Sequence, residues 1–428
     1  NKEFLERNKK VEGPIIRGDE RFFFNDGKKN FIFARLENSN WIKENKKNQI
    51  ERSVEALTLA NKLFISTIKT KNIALDPHLK FNYDGIKEYI NYNNIIKFRL
   101  LINAFGASNS LSINDLRMYY DPVFKKFDLI FNDGSTTFLQ IPEKINYSHI
   151  NNEEVDKVEE VISSIDSLDL KKVRQDLSQK GLNISPDKLL YNISKLKKRL
   201  KTIESNKSKL KKNENTKFSK KDIANMFNDT NLIYSYYVKD NQFELCSNLK
   251  CKYEILDLKD IQKILNQRLK RNKKDVIFLG YKDSNKKIKN FSDRSKWSFK
   301  KINNTKIYYT KDSKIQILDK KINIFAKNNS KVMFTGGVME NVKIDYKNEG
   351  SLSKDNFSNL NGCINFYDIE LRKIKINISN TSCEDSINLV RARGEIDEII
   401  SNNSFSDGID FDFSNLKIKE ILVKNSKN

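Results

Sequence analysis

Apolar side chains recur along the chain in two different patterns. In residues 50–69 and 84–105 they return every three or four positions, which predicts two amphipathic helices. Residues 116–120 and 127–131 are short apolar stretches on either side of a polar, proline-containing turn, which predicts a β-hairpin. The first 150 residues are therefore expected to mix helix and strand.

The middle of the chain is more charged. Residues 151–213 have helical spacing, and the Ser-Pro-Asp sequence at 185–187 predicts a helix start. Serine caps free backbone N–H groups there, proline fits the first turn, and an acid favours the positive end of the helix dipole. Residues 214–295 combine a polar linker with a small mixed segment of short strands and one helix over Leu258–Leu269.

A repeat begins after residue 296. Short Ile-rich stretches alternate there with Asn, Ser and Asp, and a step of 22 or 23 residues relates Ile364-Asn365-Phe366, Ile387-Asn388-Leu389 and Ile409-Asp410-Phe411. Ile374, Ile396 and Ile418 are spaced by 22, and the segment from Ile378 is echoed 22 residues later from Ile400. This period predicts a β-solenoid, whose coils bury their apolar residues only by stacking. A β-sandwich with accidental similarity is the alternative.

Composition narrows the class of protein. The formal net charge is +23, but the excess is mostly lysine, spread along the chain among many Asn and Ile residues. Clustered arginine is typical of specific duplex binders and is missing here, so we do not expect nucleic acid as the main partner. No apolar run reaches the roughly 18 residues of a membrane-spanning helix. Four Cys and two His are too few for a zinc ribbon or a disulfide framework.

The individual cysteines and the chain ends add further expectations. Cys246 and Cys251 complete no metal site with other residues of the sequence, and Cys363 and Cys383 are expected to be buried packing residues. The chain begins at Asn1 inside a helical pattern and ends within a repeat. Both ends are therefore expected to be cuts in a longer protein.

Two aspartates flank the predicted hairpin. Asp115 lies in the polar loop before it, and Asp133 follows its second strand. The hairpin should return the chain so that the two carboxylates meet, and such a pair suits magnesium, which prefers oxygen ligands and keeps some of its waters. A metal beside a polar loop suits phosphoryl transfer, which depends on positioning and charge neutralisation. The alternative is that Asp133-Gly134 is a structural turn.

The same stretch resembles the CotH kinase-like family, atypical kinases related to spore-coat protein H. The likeness rests on Leu116-Arg117-Met118-Tyr119-Tyr120-Asp121-Pro122 with the aspartate that follows the hairpin, and on the opening segment Phe4–Ile16. Long members of that family also carry a right-handed parallel β-helix, and Gly362–Tyr367, Cys383–Asn388 and Ser406–Ser414 resemble its coils. The resemblance covers about residues 1–200 and 296–428.

The resemblance implies roles for particular residues. Asp133 matches the metal-binding aspartate of the family, and Asp115 matches the asparagine that helps to hold a second metal. Family members usually have histidine where Asn109 stands, and an asparagine cannot exchange protons. The family's phosphate-binding lysine and its acidic partner would lie before residue 1. The resemblance thus implies ATP and Mg²⁺ as cofactors, with an incomplete nucleotide-binding lobe.

The repeat offers a second group of acids. Asp385, Asp407, Asp410 and Asp412 are expected in corresponding loops of successive coils, on one face. Aligned carboxylates on a β-helix could bind or cleave polysaccharide, because glycosidases place two acids beside the scissile bond. A structural ladder of Asn and Asp in the turns is the alternative that we favour.

Together these patterns predict an α+β chain. A partial protein-kinase-like domain at 1–150 would be followed by a helical connector at 151–213, a linker with a small mixed segment at 214–295, and a right-handed parallel β-helix at 296–428. The expected function is ATP- and magnesium-dependent phosphoryl transfer to a protein or glycan, incomplete or degenerate in this chain. The alternative is a non-catalytic cell-envelope module that binds polysaccharide. A cell-envelope or extracellular location is expected, and the cytoplasm stays open.

Overall fold

The computed structural model describes residues 2–18, 33–43, 47–67, 84–111, 115–132, 141–145, 147, 150–179, 181–209, 233–247, 250–266, 276–282, 297–327, 330–349 and 360–426. These residues form a strand-rich α/β structure with several sheets. The chain divides into two compact units. We call residues 13–121 and 125–286 the mixed unit, and residues 1–12, 122–124 and 287–428 the parallel unit. The predicted boundaries at 150, 213 and 295 stay predictions.

Elements are numbered in chain order over the described residues. The α-helices are α1 (Lys2–Arg7), α2 (Lys47–Thr67), α3 (Tyr92–Phe105), α4 (Asn152–Val155), α5 (Val158–Asp166), α6 (Leu170–Gln179), α7 (Pro186–Ser205) and α8 (Leu258–Asn266). The strands of the mixed unit are β1 (Ile15–Gly18), β2 (Ala34–Leu36), β3 (Arg117–Asp121), β4 (Lys126–Ile130), β5 (Ile233–Lys239), β6 (Gln242–Ser247), β7 (Lys250–Ile255) and β8 (Val276–Tyr281).

The strands of the parallel unit are β9 (Trp297–Ile302), β10 (Thr305–Thr310), β11 (Lys314–Leu318), β12 (Lys321–Ala326), β13 (Val332–Thr335), β14 (Val338–Glu340), β15 (Lys343–Asn348), β16 (Gly362–Tyr367), β17 (Glu370–Thr381), β18 (Asp385–Val390), β19 (Arg393–Ser404), β20 (Asp407–Asp412) and β21 (Asn415–Lys424).

Two four-stranded sheets organise the mixed unit. One has the order β2-β1-β3-β4 and the other β7-β6-β5-β8. The predicted hairpin is confirmed as the antiparallel pair β3–β4. Helix α2, also predicted, joins the sheets through Asn61, whose Oδ1 accepts from Ala34 N at 2.7 Å and whose Nδ2 donates to Phe278 O at 2.9 Å. A buried asparagine with both ends bonded fixes the helix against both sheets.

The second predicted helix is interrupted. Residues 84–89 form a 3₁₀ segment, and the α-helix α3 begins only at Tyr92. Between them Ile90 bridges to Phe127, and Asn91 N donates to Phe127 O at 3.3 Å. The single helix expected over 84–105 is thus wrong, because backbone bonds to β4 replace helical bonds at this point.

The helical segment of the mixed unit begins and packs as its sequence indicates. Ser185 Oγ accepts from Lys188 N at 3.2 Å with Pro186 in the first turn, which confirms the predicted helix start of α7. Further along this helix Arg199 Nε donates to Ala104 O at 2.5 Å, and its other nitrogens donate to the carbonyls of Pro142, Glu143 and Lys144. One arginine therefore donates to four backbone carbonyls, one in the last turn of α3 and three in the segment 142–144.

The parallel unit contains two sheets that share one core. Their orders are β20-β18-β16-β13-β10-β9 and β11-β12-β15-β17-β19-β21, with β14 also paired to β17. From β15 onward successive strands alternate between the sheets, and each pairs in parallel with a strand one repeat away. Inward residues of both sheets, among them Ile344, Phe366 and Ile387, form one buried apolar cluster.

The repeat register is largely as predicted. Ile364, Ile387 and Ile409 stack in one sheet, and Ile374, Ile396 and Ile418 stack in the other against the shared core. The echo from Ile378 to Ile400 is wrong by one residue, because Ile378 pairs with Ser401. Register shifts on either side of Ile374 account for the difference, since each bulge leaves a residue of one strand unpaired.

Asparagines stack at the C-terminal ends of β17, β19 and β21. Asn380, Asn403 and Asn425 all have left-handed φ values, of 56°, 57° and 54°. Asn403 Nδ2 donates to Asn380 Oδ1 at 2.9 Å, and Asn425 Nδ2 donates to Asn403 Oδ1 at 2.9 Å. Asparagine tolerates this backbone better than most residues, so the ladder explains the Asn-rich turns of the sequence.

Substitutions of Asn403, the middle residue of this ladder, should separate the contribution of its hydrogen bonds to stability from that of its left-handed backbone. Asn403→Ala loses both ladder hydrogen bonds and puts alanine, which tolerates the left-handed region less well than asparagine, at φ 57°, so we expect a loss of about 2 kcal/mol of unfolding free energy. Asn403→Gly loses the same bonds but relieves the backbone, so it should lose about half as much. Urea unfolding of both variants checks this, and equal losses would refute a backbone contribution.

Candidate functional site

The loop before the hairpin starts at a helix end. Helix α3 stops at Gly106, which has a left-handed φ of 75°, and residues 108–111 form a 3₁₀ turn. Ala107 and Leu111 are buried with Ile102, and Leu129 of β4 packs against them. This apolar contact holds residues 107–111 against the hairpin strand β4.

The hairpin register returns the chain to Asp115. Arg117 pairs with Ile130, and the Arg117 guanidinium donates to Asp115 O at 3.0 Å. Across the hairpin, Asn132 Nδ2 makes a long contact of 3.5 Å with the same carbonyl. The residue before Asp133 is therefore beside Asp115. Asp133 itself lies outside the described residues, as does the side chain of Asn109, so the expected meeting of Asp115 and Asp133 stays a prediction.

The second predicted group lies in strands. Asp385 opens β18, and Asp407, Asp410 and Asp412 belong to β20, so their expected position in loops is wrong. Asp385 pairs with Asp407, and Asp410 pairs with Asn388. The Asn388 side-chain amide bonds two of these carboxylates, which helps the strands to accommodate them. Its Nδ2 donates to Asp385 Oδ2 at 3.3 Å and to Asp410 Oδ2 at 3.0 Å.

Asn365 of β16 and Asn388 of β18 occupy equivalent positions in successive coils, which we call rungs, but their side chains have different hydrogen-bond partners. In the earlier rung Asn365 bonds only backbone, accepting from Gly362 N at 3.0 Å and donating to Gly362 O and Val332 O. In the next rung the asparagine is Asn388, which bonds two carboxylates instead, while its buried Oδ1 has no hydrogen-bond partner. The last two rungs therefore carry an acidic group, in which Asn388 joins Asp385 to Asp410, and the choice between a structural ladder and a binding site stays open.

Burial changes the titration of this acidic group. Asp385 is 3% exposed, and burial, then the charge of Asp410, raises its pKa to about 7. Burial and the same neighbour also raise the pKa of Asp412, against the lowering effect of Arg391. A carboxyl that holds its proton near neutral pH beside other carboxylates can donate a hydrogen bond or a proton.

Stability should therefore fall as the pH rises. The folded-state pKa of Asp385 lies above that of an unfolded aspartate, so its contribution is full below about pH 4 and is lost as the pH rises through about 7. Each pKa unit is worth about 1.4 kcal/mol, and after solvent screening we expect a loss of about 2 kcal/mol. Asp385→Asn should remove most of this dependence. Urea unfolding at several pH values checks it, and an unchanged slope in the variant would refute it.

The cysteines are paired, which the sequence interpretation missed. Cys246 and Cys251 form one disulfide, and Cys363 and Cys383 form another within the core of the parallel unit. The expectation of too few cysteines for disulfides is thus wrong. Cys246 and Cys251 are directly opposite each other on β6 and β7, a proximity that depends on a strand pairing that cysteine spacing alone does not fix.

Comparison with known proteins gave no match: no family model, curated protein or solved structure is significantly similar to this chain. Within the described parts of the chain, no helix is both long and apolar enough to cross a membrane.

Proposed function

We propose that the chain is a CotH-like atypical kinase, incomplete or degenerate in this chain, whose activity is transfer of a phosphoryl group from ATP with magnesium to a protein or glycan acceptor. One observation carries the proposal: the β3–β4 hairpin brings the chain at Asn132 back to Asp115. This is the closure that the resemblance requires if Asp115 and Asp133 are to serve one metal. The mixed unit would then supply the kinase-like part.

The side chains of Asp115 and Asp133 are of the chemical type that magnesium binds. Asp115 offers a carboxylate, and Asp133 would add a second, which are the hard oxygen ligands that Mg²⁺ takes beside water and phosphate. Arg117 donates to the Asp115 carbonyl and so fixes the backbone from which the carboxylate projects. A bound magnesium would neutralise phosphate charge, while Asp115 and Asp133 hold it in place.

ATP binding tests this proposal. Titration calorimetry with Mg-ATP should give heat of binding with the unmodified chain and with Asp115→Asn, since asparagine is the residue that the family carries there. Asp115→Ala should weaken binding by at least about tenfold, as expected from the loss of one charge-assisted contact. Binding that is equal in the alanine and asparagine variants would contradict a metal role for Asp115.

The parallel unit supports a second candidate, a non-catalytic cell-envelope module. We propose that its two parallel sheets belong to a right-handed parallel β-helix that binds polysaccharide. Alternation of strands between two sheets at steps of 22 or 23 residues supports the β-helix. The acidic group of Asp385, Asp407, Asp410 and Asp412 supports carbohydrate binding, because carboxylates accept hydrogen bonds from sugar hydroxyls. Two disulfides agree with an oxidising compartment.

Glycan arrays distinguish this candidate from the first. Retention of a polysaccharide that is lost in Asp410→Ala and kept in Asp345→Ala would support it, since Asp345 is a partly buried acid on the other sheet. Release of reducing ends would instead indicate cleavage by the acidic group. Equal retention by both variants would refute this site.

A further inference from the structure

Three potential metal ligands meet on the second sheet of the mixed unit. Ligand atoms of Glu244, Cys246 and Cys251 lie within 4.8 Å of one another, which makes this the only such group among the residues the structure describes. Strand pairing explains the proximity. Glu244 and Cys246 are two positions apart on β6 and so share one face, and Cys251 of β7 is opposite Cys246.

The surroundings of this group are asymmetric. Cys246 is 2% exposed and Glu244 is 8% exposed, whereas Cys251 faces solvent. The disulfide is therefore open to a reductant from one side, while two of the three ligands are held in a buried setting. The Cys363–Cys383 disulfide differs, since both of its residues are buried in the core of the parallel unit.

A cation lies beside the group. Lys282 Nζ is 2.6 Å from Glu244 Oε1, and Lys282 also contacts the Tyr253 hydroxyl. The ion pair with Lys282 holds the Glu244 carboxylate beside the two sulfur atoms.

We propose that Glu244, Cys246 and Cys251 form a redox-gated zinc site. In the disulfide form the sulfur atoms are bonded to each other and do not offer two thiolates. A dithiol reductant transfers two electrons and two protons to the disulfide, giving two thiols as the reductant becomes a disulfide. Zinc then displaces the two thiol protons to solvent, and the Glu244 carboxylate leaves Lys282 to become the third ligand. Two thiolates, one carboxylate and one water complete the four-coordinate arrangement that zinc prefers.

Lys282 is a competitor of zinc for the Glu244 carboxylate. It holds the Glu244 carboxylate in the oxidised form and so competes with zinc for it. Lys282→Met should therefore leave zinc binding intact or strengthen it in the reduced chain. This proposal is independent of the proposed function, because none of its residues belongs to the hairpin site or to the acidic group.

Zinc binding by the full chain tests the site. The chain is reduced anaerobically with a dithiol, the dithiol is removed by gel filtration, thiol titration confirms at least two free thiols per chain, and Zn²⁺ is then titrated against a competing chelating dye. We expect one zinc per reduced chain and none per oxidised chain. Co²⁺ in place of Zn²⁺ should give the near-ultraviolet charge-transfer absorption of a thiolate complex.

Variants identify the ligands. Cys246→Ser should abolish the cobalt absorption, and Glu244→Gln should weaken zinc binding by at least about tenfold while keeping the absorption, because both thiolates remain. Circular dichroism spectra of the variants that match that of the unmodified chain control for misfolding. Equal zinc binding by reduced and oxidised chains would overturn the proposal, and so would no binding by a chain with free thiols at 246 and 251.

Discussion

Arg99→Met should cost the mixed unit about 3–5 kcal/mol of unfolding free energy, the usual effect of breaking a buried ion pair. Arg99 Nε lies 2.5 Å from Glu154 Oε1, and the two side chains are 4% and 0% exposed. The variant leaves the Glu154 carboxylate buried without its counter-charge. Urea unfolding followed by circular dichroism measures the loss.

A double variant separates the charge from the packing. Glu154 also accepts from Asn151 N at 3.2 Å in the capping box of α4, and glutamine can keep that bond. Arg99→Met combined with Glu154→Gln should therefore recover at least about 1 kcal/mol relative to Arg99→Met alone, since no isolated charge stays buried. A loss below about 1 kcal/mol in Arg99→Met would contradict a paired, desolvated contact.

Gly394→Ala should destabilise the parallel unit by about 3 kcal/mol or more, which is typical of strain at a special backbone position. Gly394 has φ 113°, and a Cβ there would lie 2.0 Å from the Leu371 carbonyl oxygen of the neighbouring strand. Because that obstacle is backbone, the strands β17 and β19 must separate locally. Thermal and urea unfolding of the variant report the effect.

Two other glycines provide matched controls for this variant. At Gly408 the three atoms nearest to a Cβ would all belong to the Val423 side chain, which can shift more easily than backbone, so Gly408→Ala should cost about 1 kcal/mol or less. At Gly181 φ is 82° and a Cβ would meet nothing within 4 Å. Gly181→Ala therefore measures only the free-energy cost of placing alanine in the left-handed backbone region. If Gly394→Ala costs no more than Gly181→Ala, the close strand approach is wrong.

Local and repeating signals in the sequence predicted much of the fold. The cap at Ser185 and the hairpin β3–β4 depend on residues close together in sequence. The stacking of Ile374, Ile396 and Ile418 could be predicted because the same short pattern recurs three times at a constant spacing. The break at Ile90 could not be predicted this way, because a bridge to Phe127, distant in sequence, causes it.

The candidate sites were only partly predictable for the same physical reason. The approach of Asn132 to Asp115 follows from a short hairpin, so local reasoning anticipates it. The pairing of Asp410 with Asn388 depends on a register between rungs, and the meeting of Glu244 with two cysteines depends on how β6 faces β7. Burial, which raises the pKa of Asp385, is likewise a property of the assembled strands.

Magnesium-dependent stability tests the central claim, a metal site shared by Asp115 and Asp133, most directly. Thermal unfolding of the unmodified chain over a magnesium titration should show stabilisation that grows by about 1.4 kcal/mol for each tenfold excess over Kd. Asp133→Asn should lose most of this response while its metal-free melting temperature stays equal or rises, because one of two repelling carboxylates is gone. An unmodified chain that does not respond to magnesium, together with a destabilised Asp133→Asn, would contradict the metal site and make Asp133 a structural turn residue.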